Sequence, residues 1–175
     1  MSLKLNSWVV LIMFSGTVCS CRKPIDIDKK EAKGFFFQFP ELNRNIKPYL
    51  IDSVVFNKKY YSKIISEEHL IPNEDIDYIK GQLASDNYKI WEDSLFNDIK
   101  IVSKHYIDSV GKTNPLTKTP SYIEFSKPYF SKDKQYCFIY YNYYCGSLCA
   151  ETTFKLYKKI NSKWVCIKTY FELVS

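Results

Sequence analysis

Residues 135–171 read QYCFIYYNYYCGSLCAETTFKLYKKINSKWVCIKTYF, and this stretch decides the fold of the chain. It contains three runs of aromatic and β-branched residues, which favour β-strands, separated by short turn-forming segments. Connections this short force neighbouring strands to run antiparallel. A fourth run of similar composition precedes them at Tyr122–Phe125. The predicted strands of this meander are 122–125, 135–144, 151–159 and 164–171.

The connections inside the stretch also predict how the last three strands pair. We interpret 161–162 as a two-residue turn and 146–148 as a three-residue loop, and each fixes one register. The predicted pairs are Ile160 with Lys163, Leu156 with Ile167, Cys145 with Cys149 and Phe138 with Leu156.

These registers sort the side chains of the meander onto two faces, since neighbouring residues of a strand point in opposite directions. The more apolar face is expected to pack on a helix, and it comprises Phe138, Tyr140, Phe154, Leu156, Ile167 and Thr169. The other face is expected to be partly wet, and it comprises Cys137, Ile139, Tyr141, Thr153, Lys155, Tyr157, Cys166, Lys168 and Tyr170.

The second face supplies a candidate contact surface for a partner, because tyrosine beside lysine is typical of protein interfaces. Its members are Tyr141, Tyr143, Lys155, Tyr157, Lys168 and Tyr170. The same tyrosines have a purely structural interpretation, since aromatic cross-strand pairs stabilise sheets without binding anything.

The four cysteines of the meander divide into two pairs. Cys145 and Cys149 face each other across the loop, where Cβ atoms lie about 4.5 to 5.5 Å apart and a disulfide can form. Cys137 and Cys166 share a row with Tyr157 between them, about 9.5 Å apart, and should not bridge. A redox-active role for the first pair is the alternative, although reactive pairs more commonly have C-x-x-C spacing at a helix start.

The clearest helix is predicted over Asn73 to about Ala84. Asn73 follows Pro72 and can cap the first amides, and the acidic residues of the first turn suit the positive end of the helix dipole. Its apolar side is formed by Ile76, Ile79 and Leu83. Because capping and the dipole account for Glu74, Asp75 and Asp77, they predict no metal site.

The remaining segments are less regular. The phenylalanines of 35–39 fit either a short buried strand or the start of a helix. The apolar residues after Pro48 fit one helical face, which predicts a helix, with a strand over 51–56 as the alternative. A strand is predicted at 99–102 and a loop at 112–120. The fold class is therefore α+β, with the meander packed against one or two N-terminal helices.

The N-terminus has the order of a secretory signal peptide: Lys4, the apolar run Trp8–Phe14, then Val18-Cys19-Ser20-Cys21. Those last four residues resemble the lipobox of bacterial lipoproteins. The resemblance implies that residues 1–20 are removed and that Cys21 becomes an acylated N-terminus. The run is too short for a spanning helix, which needs about 20 apolar residues. Secretion without lipidation is the alternative.

The resemblance also implies a domain plan and a compartment. Residues 21–33 are predicted to be the lipidated cysteine and a charged, flexible tether, and 34–175 one α+β domain. In lipoproteins, Asp after the acylated cysteine marks retention at the inner membrane. Arg22 stands there in this chain, so the resemblance favours the outer membrane. That compartment is oxidising and permits disulfides.

A second resemblance covers Phe125 to Trp164, about a quarter of the chain. The segment is similar to a C-terminal module of small bacterial lipoproteins, in which a strand leads into a C-G-x-L-C loop and two further strands. Asn161 and Ser162 stand in the last turn, where that module commonly has glycine. The resemblance supports the fold and implies no activity.

Composition and motifs exclude several function classes. The net charge of +6 is spread along the chain and only two residues are arginine, which argues against a nucleic-acid partner. Phosphate-binding glycine loops, nucleophile elbows and spaced Cys/His sets are absent from the sequence, so no catalytic residue, cofactor or metal ligand is assigned. His69 and His105 are the only imidazoles.

We therefore expect a non-catalytic binding or structural module, held at the membrane by its lipid and in contact with an envelope protein or a glycan. The alternative is an envelope hydrolase that uses His105 with a nearby carboxylate such as Asp108.

Overall fold

The computed structural model describes residues 28–43, 48–53, 58–85, 91, 93–96, 98–113, 120–146 and 149–174. The helices are α1 (Lys29–Phe37), α2 (Lys58–Ser66), α3 (Asn73–Ser85) and α4 (Lys104–Thr113), with short 3-10 turns at Pro40–Asn43 and Asp93–Leu95. The strands are β1 (Tyr49–Ile51), β2 (Ile101–Val102), β3 (Tyr122–Phe125), β4 (Tyr129–Phe130), β5 (Tyr136–Gly146), β6 (Cys149–Ile160) and β7 (Lys163–Val174). The predicted α+β class is confirmed. The predicted signal peptide and Cys21 lie outside the described residues, in which no helix is long and apolar enough to cross a membrane.

The strands form one mixed sheet in the order β2-β1-β3-β5-β6-β7, and β4 also pairs with β5. The short strand β1 runs parallel to both of its neighbours, β2 and β3. The four predicted strands of the meander are β3, β5, β6 and β7, and they pair with one another in antiparallel fashion.

The predicted register holds near each turn and fails where a strand contains an extra residue. Ile160 pairs with Lys163 and Phe138 with Leu156, as predicted. Strand β7 contains two one-residue shifts of the kind that β-bulges produce, and the one nearer the turn makes Leu156 pair with Lys168 instead of Ile167. A third shift near the loop pairs Gly146, rather than Cys145, with Cys149.

Helices α2 and α3 cover the face of the sheet that was predicted to be apolar. Ile76 and Ile79 of α3 belong to one buried cluster with Phe138, Phe154 and Leu156 of the sheet. The helix predicted from Asn73 is confirmed, and so is its packing on this face.

The opposite face, predicted to be partly wet, is instead buried under α1. Phe35 packs edge-on against Tyr157, and Phe39 packs edge-on against Tyr141, with ring centroids 5.3 Å apart in both pairs. Phe36 extends the same cluster to the turn at Asp93–Leu95 and the residues around it. The phenylalanine run at 35–39 is therefore mostly helical, and it supplies a second layer that the sequence pattern alone left undecided.

Helix α1 begins inside the segment that was predicted to be a tether. The Asp28 carboxylate caps it by accepting a hydrogen bond of 3.0 Å from the Glu31 amide. Ala32 is completely buried, while the lysines of the segment project outwards. The sequence pattern did not indicate a helix over 28–33, because its charged side chains lie on the outer face and only one small residue faces the core. Residues 28–33 of the predicted tether therefore belong to the folded domain, and the rest of that segment lies outside the described residues.

Two further elements differ from expectation. Tyr49–Ile51 forms a strand rather than a helix, because it inserts between two other strands, where Leu50 and Ile51 are fully buried. The second half of the alternative strand at 51–56 lies outside the described residues. Helix α4 was not predicted, and its last residues replace the start of the loop expected at 112–120.

Candidate functional site

The predicted contact face does not form one surface. Tyr141, Tyr143 and Tyr157 are buried beneath α1 and its neighbours, with at most 6 % of each residue exposed. Lys168 lies on the opposite side of the sheet, because the shift in β7 at Ile167 reverses the direction of its side chain. Tyr170 is the extra residue of the second shift, and its hydroxyl reaches the same side as Lys168. The candidate surface is therefore corrected: three of its four tyrosines are core residues, and its members lie on both sides of the sheet.

Tyr141 and Lys155, two members of that predicted face, form a polar cluster at the edge of the core. The Tyr141 hydroxyl donates to Glu151 over 2.5 Å and accepts from the Lys155 ammonium over 2.9 Å. Lys155 also lies within 4.0 Å of Glu172 on β7. Each charge is matched by a neighbour, so the cluster satisfies a buried phenol and links β5, β6 and β7.

Lys168 and Tyr170 instead converge on Glu68, whose carboxylate is fully buried. Lys168 donates to Glu68 over 2.8 Å, and the Tyr170 hydroxyl also hydrogen bonds to it. The amides of His69 and Leu70 donate to the other oxygen, each over 2.7 Å. Desolvation raises the pKa of Glu68, but these hydrogen bonds outweigh it and lower the pKa to about 2. Glu68 is therefore a structural group that is ionised at neutral pH.

A second polar row is more open. On the face covered by α2 and α3, the strand pairing aligns Glu124 of β3, Asn142 of β5 and Thr152 of β6. The Asn142 amide donates to Glu124 over 3.4 Å, and its carbonyl oxygen accepts from Thr152 over 3.0 Å. All three residues are half-buried. The row thus presents a carboxylate, an amide and a hydroxyl side by side on the sheet.

Helix α4 closes one end of this row. Lys104 donates a hydrogen bond of 2.6 Å to the Tyr122 hydroxyl and lies 3.5 Å from the Glu124 carboxylate. Desolvation lowers the pKa of Lys104, but the hydrogen bond to Tyr122 and the charge of Glu124 outweigh it and raise the pKa. Lys104 therefore stays protonated and fixes the orientation of both partners.

The Tyr122 ring stacks on Tyr144 of β5, with centroids 4.9 Å apart and an interplanar angle of 20°. Between this pair and α4 lies a cavity of about 370 Å³. The cavity is lined by Ile107, Asp108, Gly111, Lys112, Tyr122 and Tyr144. We call this cavity together with the Glu124–Asn142–Thr152 row the α4 groove. The groove combines aromatic rings with hydrogen-bond donors and acceptors, and it contains both acidic and basic side chains.

The two histidines lie on the surface. His105 is exposed in the first turn of α4, and His69 is exposed after α2. Asp108, the suggested carboxylate partner of His105, is exposed and lines the cavity, whereas His105 is not among the lining residues. Within the described residues, no three His, Cys, Asp or Glu side chains are grouped to hold a metal ion.

The cysteines lie as their spacing predicted. Cys145 and Cys149 come to disulfide distance, with Cα atoms 5.1 Å apart. Cys137 is a buried free thiol and Cys166 an exposed one, on either side of Tyr157. The first pair clips the end of the β5–β6 hairpin.

No family model matches the chain, and neither a curated protein nor a solved structure matches it. Interpretation of the α4 groove therefore depends on the chemistry of its own residues. Sequence reasoning missed this groove because Lys104 and Asp108 belong to a helix that was not predicted. The one available signal was Glu124, an acid placed inside an otherwise apolar strand.

Proposed function

We propose that this chain is a non-catalytic binding module of the bacterial envelope, anchored by a lipid on Cys21. The lipobox-like Val18-Cys19-Ser20-Cys21 supports the anchor, and Arg22 favours the outer membrane. Only six residues separate Cys21 from Asp28, the first described residue of the domain. A folded domain on so short a link remains close to the bilayer.

The ligand we propose is a glycan, bound in the α4 groove. Sugars offer apolar C–H faces that pack on aromatic rings and hydroxyls that hydrogen bond to carboxylates and amides. Tyr122 and Tyr144 supply the rings, while Glu124 and Asn142 supply the polar partners on the adjacent row. Ligand sites generally combine such a concave aromatic lining with a few placed polar groups. The stacked tyrosine pair that lines the cavity beside this row is the observation that carries the proposal.

The matching of charges within the groove favours a neutral ligand. Lys104 is already paired with Glu124, so that carboxylate carries no unbalanced charge. Asp108 and Lys112 on α4 bring one charge of each sign to the cavity. A neutral or zwitterionic sugar is therefore a better fit than a polyanion.

Binding to an array of neutral, acidic and amino-sugar oligosaccharides tests the proposal. We expect the purified protein to bind neutral or amino-sugar members, and Tyr144→Ala to reduce binding at least about tenfold, since stacked aromatic contacts dominate such sites. Tyr78→Ala is the matched control, because Tyr78 is exposed on α3. Failure of the unaltered protein to bind any oligosaccharide, or equal loss in both variants, would contradict the proposal.

The hydrolase alternative is tested with the same oligosaccharides. A binding module leaves them intact, and His105→Ala leaves their affinity unchanged, because His105 is exposed outside the cavity lining. Cleavage that disappears in His105→Ala would favour the hydrolase instead.

A further inference from the structure

The described domain begins at the N-terminal end of α1, and this end cannot lie far from the proposed anchor. From Cys21 to Asp28 the backbone spans at most about 25 Å. Asp28 is itself held to the sheet by an ion pair with Lys134, in the turn before β5. A domain of this size has a radius of gyration of about 15 Å and therefore a diameter of about 40 Å, so a link of about 25 Å brings this side to the bilayer and not the far side.

The outer face of α1 carries cations and one aromatic residue. Lys30 and Lys33 are exposed, and Phe37 at the end of the helix is 70 % exposed. The two acids at the start of the helix are each paired with a lysine: Asp28 with Lys134 of the turn before β5, and Glu31 with Lys159 of β6. The exposed charge of the helix is therefore positive.

The β6–β7 turn adds the same kinds of side chain next to the end of α1. Gln38 connects this turn to the end of α1, since its side-chain carbonyl oxygen accepts a hydrogen bond of 3.0 Å from the Trp164 amide. In this turn Ile160 is 44 % exposed, Lys163 is exposed and Trp164 is half-buried. A hollow of about 640 Å³ separates Phe37 from Trp164 and the turn.

We propose that these residues form a membrane-contacting surface that lies against anionic phospholipid headgroups. We call it the α1 surface, and its members are Lys30, Lys33, Phe37, Ile160, Lys163 and Trp164. Lysines are attracted to anionic headgroups, while tryptophan, phenylalanine and isoleucine enter the boundary with the acyl chains. This inference rests on the proposed anchor, because the anchor brings the surface to the bilayer.

One neighbouring acid does not cancel this charge. Asp133, in the same turn as Lys134, accepts hydrogen bonds from the Ser131 hydroxyl and the Gln135 amide. Lys132 and Lys134 flank it and are both exposed. Lys134 already balances Asp28 and Lys132 balances Asp133, so the turn that holds the start of α1 adds no net charge and leaves the lysines of α1 uncancelled.

Contact with the bilayer orients the domain. The α4 groove depends on the face of the sheet that α2 and α3 cover, whereas α1 covers the opposite face. A domain seated on the α1 surface turns its groove side away from the lipid. A ligand can then enter the groove without competing with the membrane.

Quenching of tryptophan fluorescence by brominated phospholipid tests the proposal directly, because Trp164 is part of the surface. The processed protein, purified from its native membrane, is mixed with neutral vesicles or with vesicles that contain about 30 % phosphatidylglycerol. Trp91, the other tryptophan of the processed chain, is buried and serves as a constant background. We expect stronger quenching in the anionic vesicles, and weaker quenching when salt rises to about 0.5 M.

Charge reversal identifies the surface. The triple variant Lys30→Glu, Lys33→Glu and Lys163→Glu should lower the charge-dependent quenching by about half or more, since charge attracts the surface to the lipid. The control triple variant Lys59→Glu, Lys63→Glu and Lys80→Glu changes as many charges on α2 and α3 and should leave quenching unchanged. Equal quenching in both kinds of vesicle, or equal loss in both variants, would overturn the proposal.

Flotation with neutral vesicles separates this inference from the anchor on which it rests. An acylated chain floats with neutral vesicles whatever its surface charge, so failure to float contradicts the anchor. Quenching in anionic vesicles then tests independently whether the α1 surface contacts lipid. Charge-dependent quenching supports that contact, and charge-independent or absent quenching overturns the proposal.

Discussion

Glu68 accepts a hydrogen bond of 2.8 Å from Lys168, although 100 residues separate them along the chain. Glu68 lies just after α2 and its carboxylate is fully buried, while Lys168 lies on β7 at the edge of the sheet. The bond ties the α2–α3 layer to the last strand of the sheet. Tyr170, on the same strand, hydrogen bonds to the same oxygen.

This link predicts a loss of stability in acid. Hydrogen bonds lower the pKa of Glu68 from 4.5 to about 2, so its contribution is complete above pH 4.5 and is lost as the pH falls towards 2. The shift corresponds to a few kcal/mol of unfolding free energy, about 2 to 4. Denaturant unfolding at a series of pH values measures this, and Glu68→Gln should remove most of the slope between pH 4.5 and 2. A slope in Glu68→Gln equal to that of the unaltered protein would contradict the assignment.

The two faces of α1 predict opposite effects for two phenylalanines that are neighbours on the helix. Phe35 is 1 % exposed and contacts Tyr157 and Trp164, whereas Phe37 is 70 % exposed. Phe35→Ala should lower the unfolding free energy by about 3 to 5 kcal/mol, because it leaves a cavity in the core. Phe37→Ala should change it by less than about 0.5 kcal/mol. Similar losses in both variants would show that α1 does not pack as described.

The β6–β7 turn predicts a stabilising substitution. Ser162 has a φ of 63°, in the left-handed region that a side chain disfavours. Ser162→Gly should raise the unfolding free energy by about 1 kcal/mol, since glycine adopts this conformation without steric cost. Thr169→Gly is the control, because Thr169 lies within β7, where glycine is destabilising. A loss of stability in Ser162→Gly would argue against this turn geometry.

The four cysteines of the domain predict a pattern of alkylation. Cys166 is exposed and should react with iodoacetamide in the native protein. Burial raises the pKa of the Cys137 thiol well above its ordinary value, so Cys137 should react only after unfolding. Cys145 and Cys149 should react only after reduction, and their loss as a pair should cost about 2 kcal/mol. Peptide mapping by mass spectrometry reads the pattern, and native labelling of Cys145 without reductant would contradict the clip.

The meander was predictable from sequence because its strands and turns are determined by residues that are close together in the chain. Alternating side chains and short turns define β3, β5, β6 and β7, and the pair Ile160 and Lys163 follows from a two-residue turn alone. Helix α3 was equally predictable, since it begins at Asn73, where the sequence indicates a helix start, and its apolar residues line one side.

What sequence reasoning missed depends on distant parts of the chain. The bulges that turn Lys168 and Tyr170 towards Glu68 have no signal in the turn that sets the register. Tyr141 is buried because Phe39, just after α1, packs against it. The charged start of α1 was interpreted as part of the tether, so this packing was not predicted. The α4 groove was missed for a similar reason, because Lys104 reaches Tyr122 only through tertiary packing.

The intact mass of the protein purified from native membranes tests whether Cys21 carries the lipid anchor. We expect a chain that begins at Cys21, lacks residues 1–20 and carries the added mass of acyl groups on that cysteine. Cys21→Ser should abolish the added mass and release the protein from the membrane fraction. A mass that corresponds to the unmodified chain from Met1, found in the soluble fraction, would contradict the anchor and the placement of the domain at the envelope.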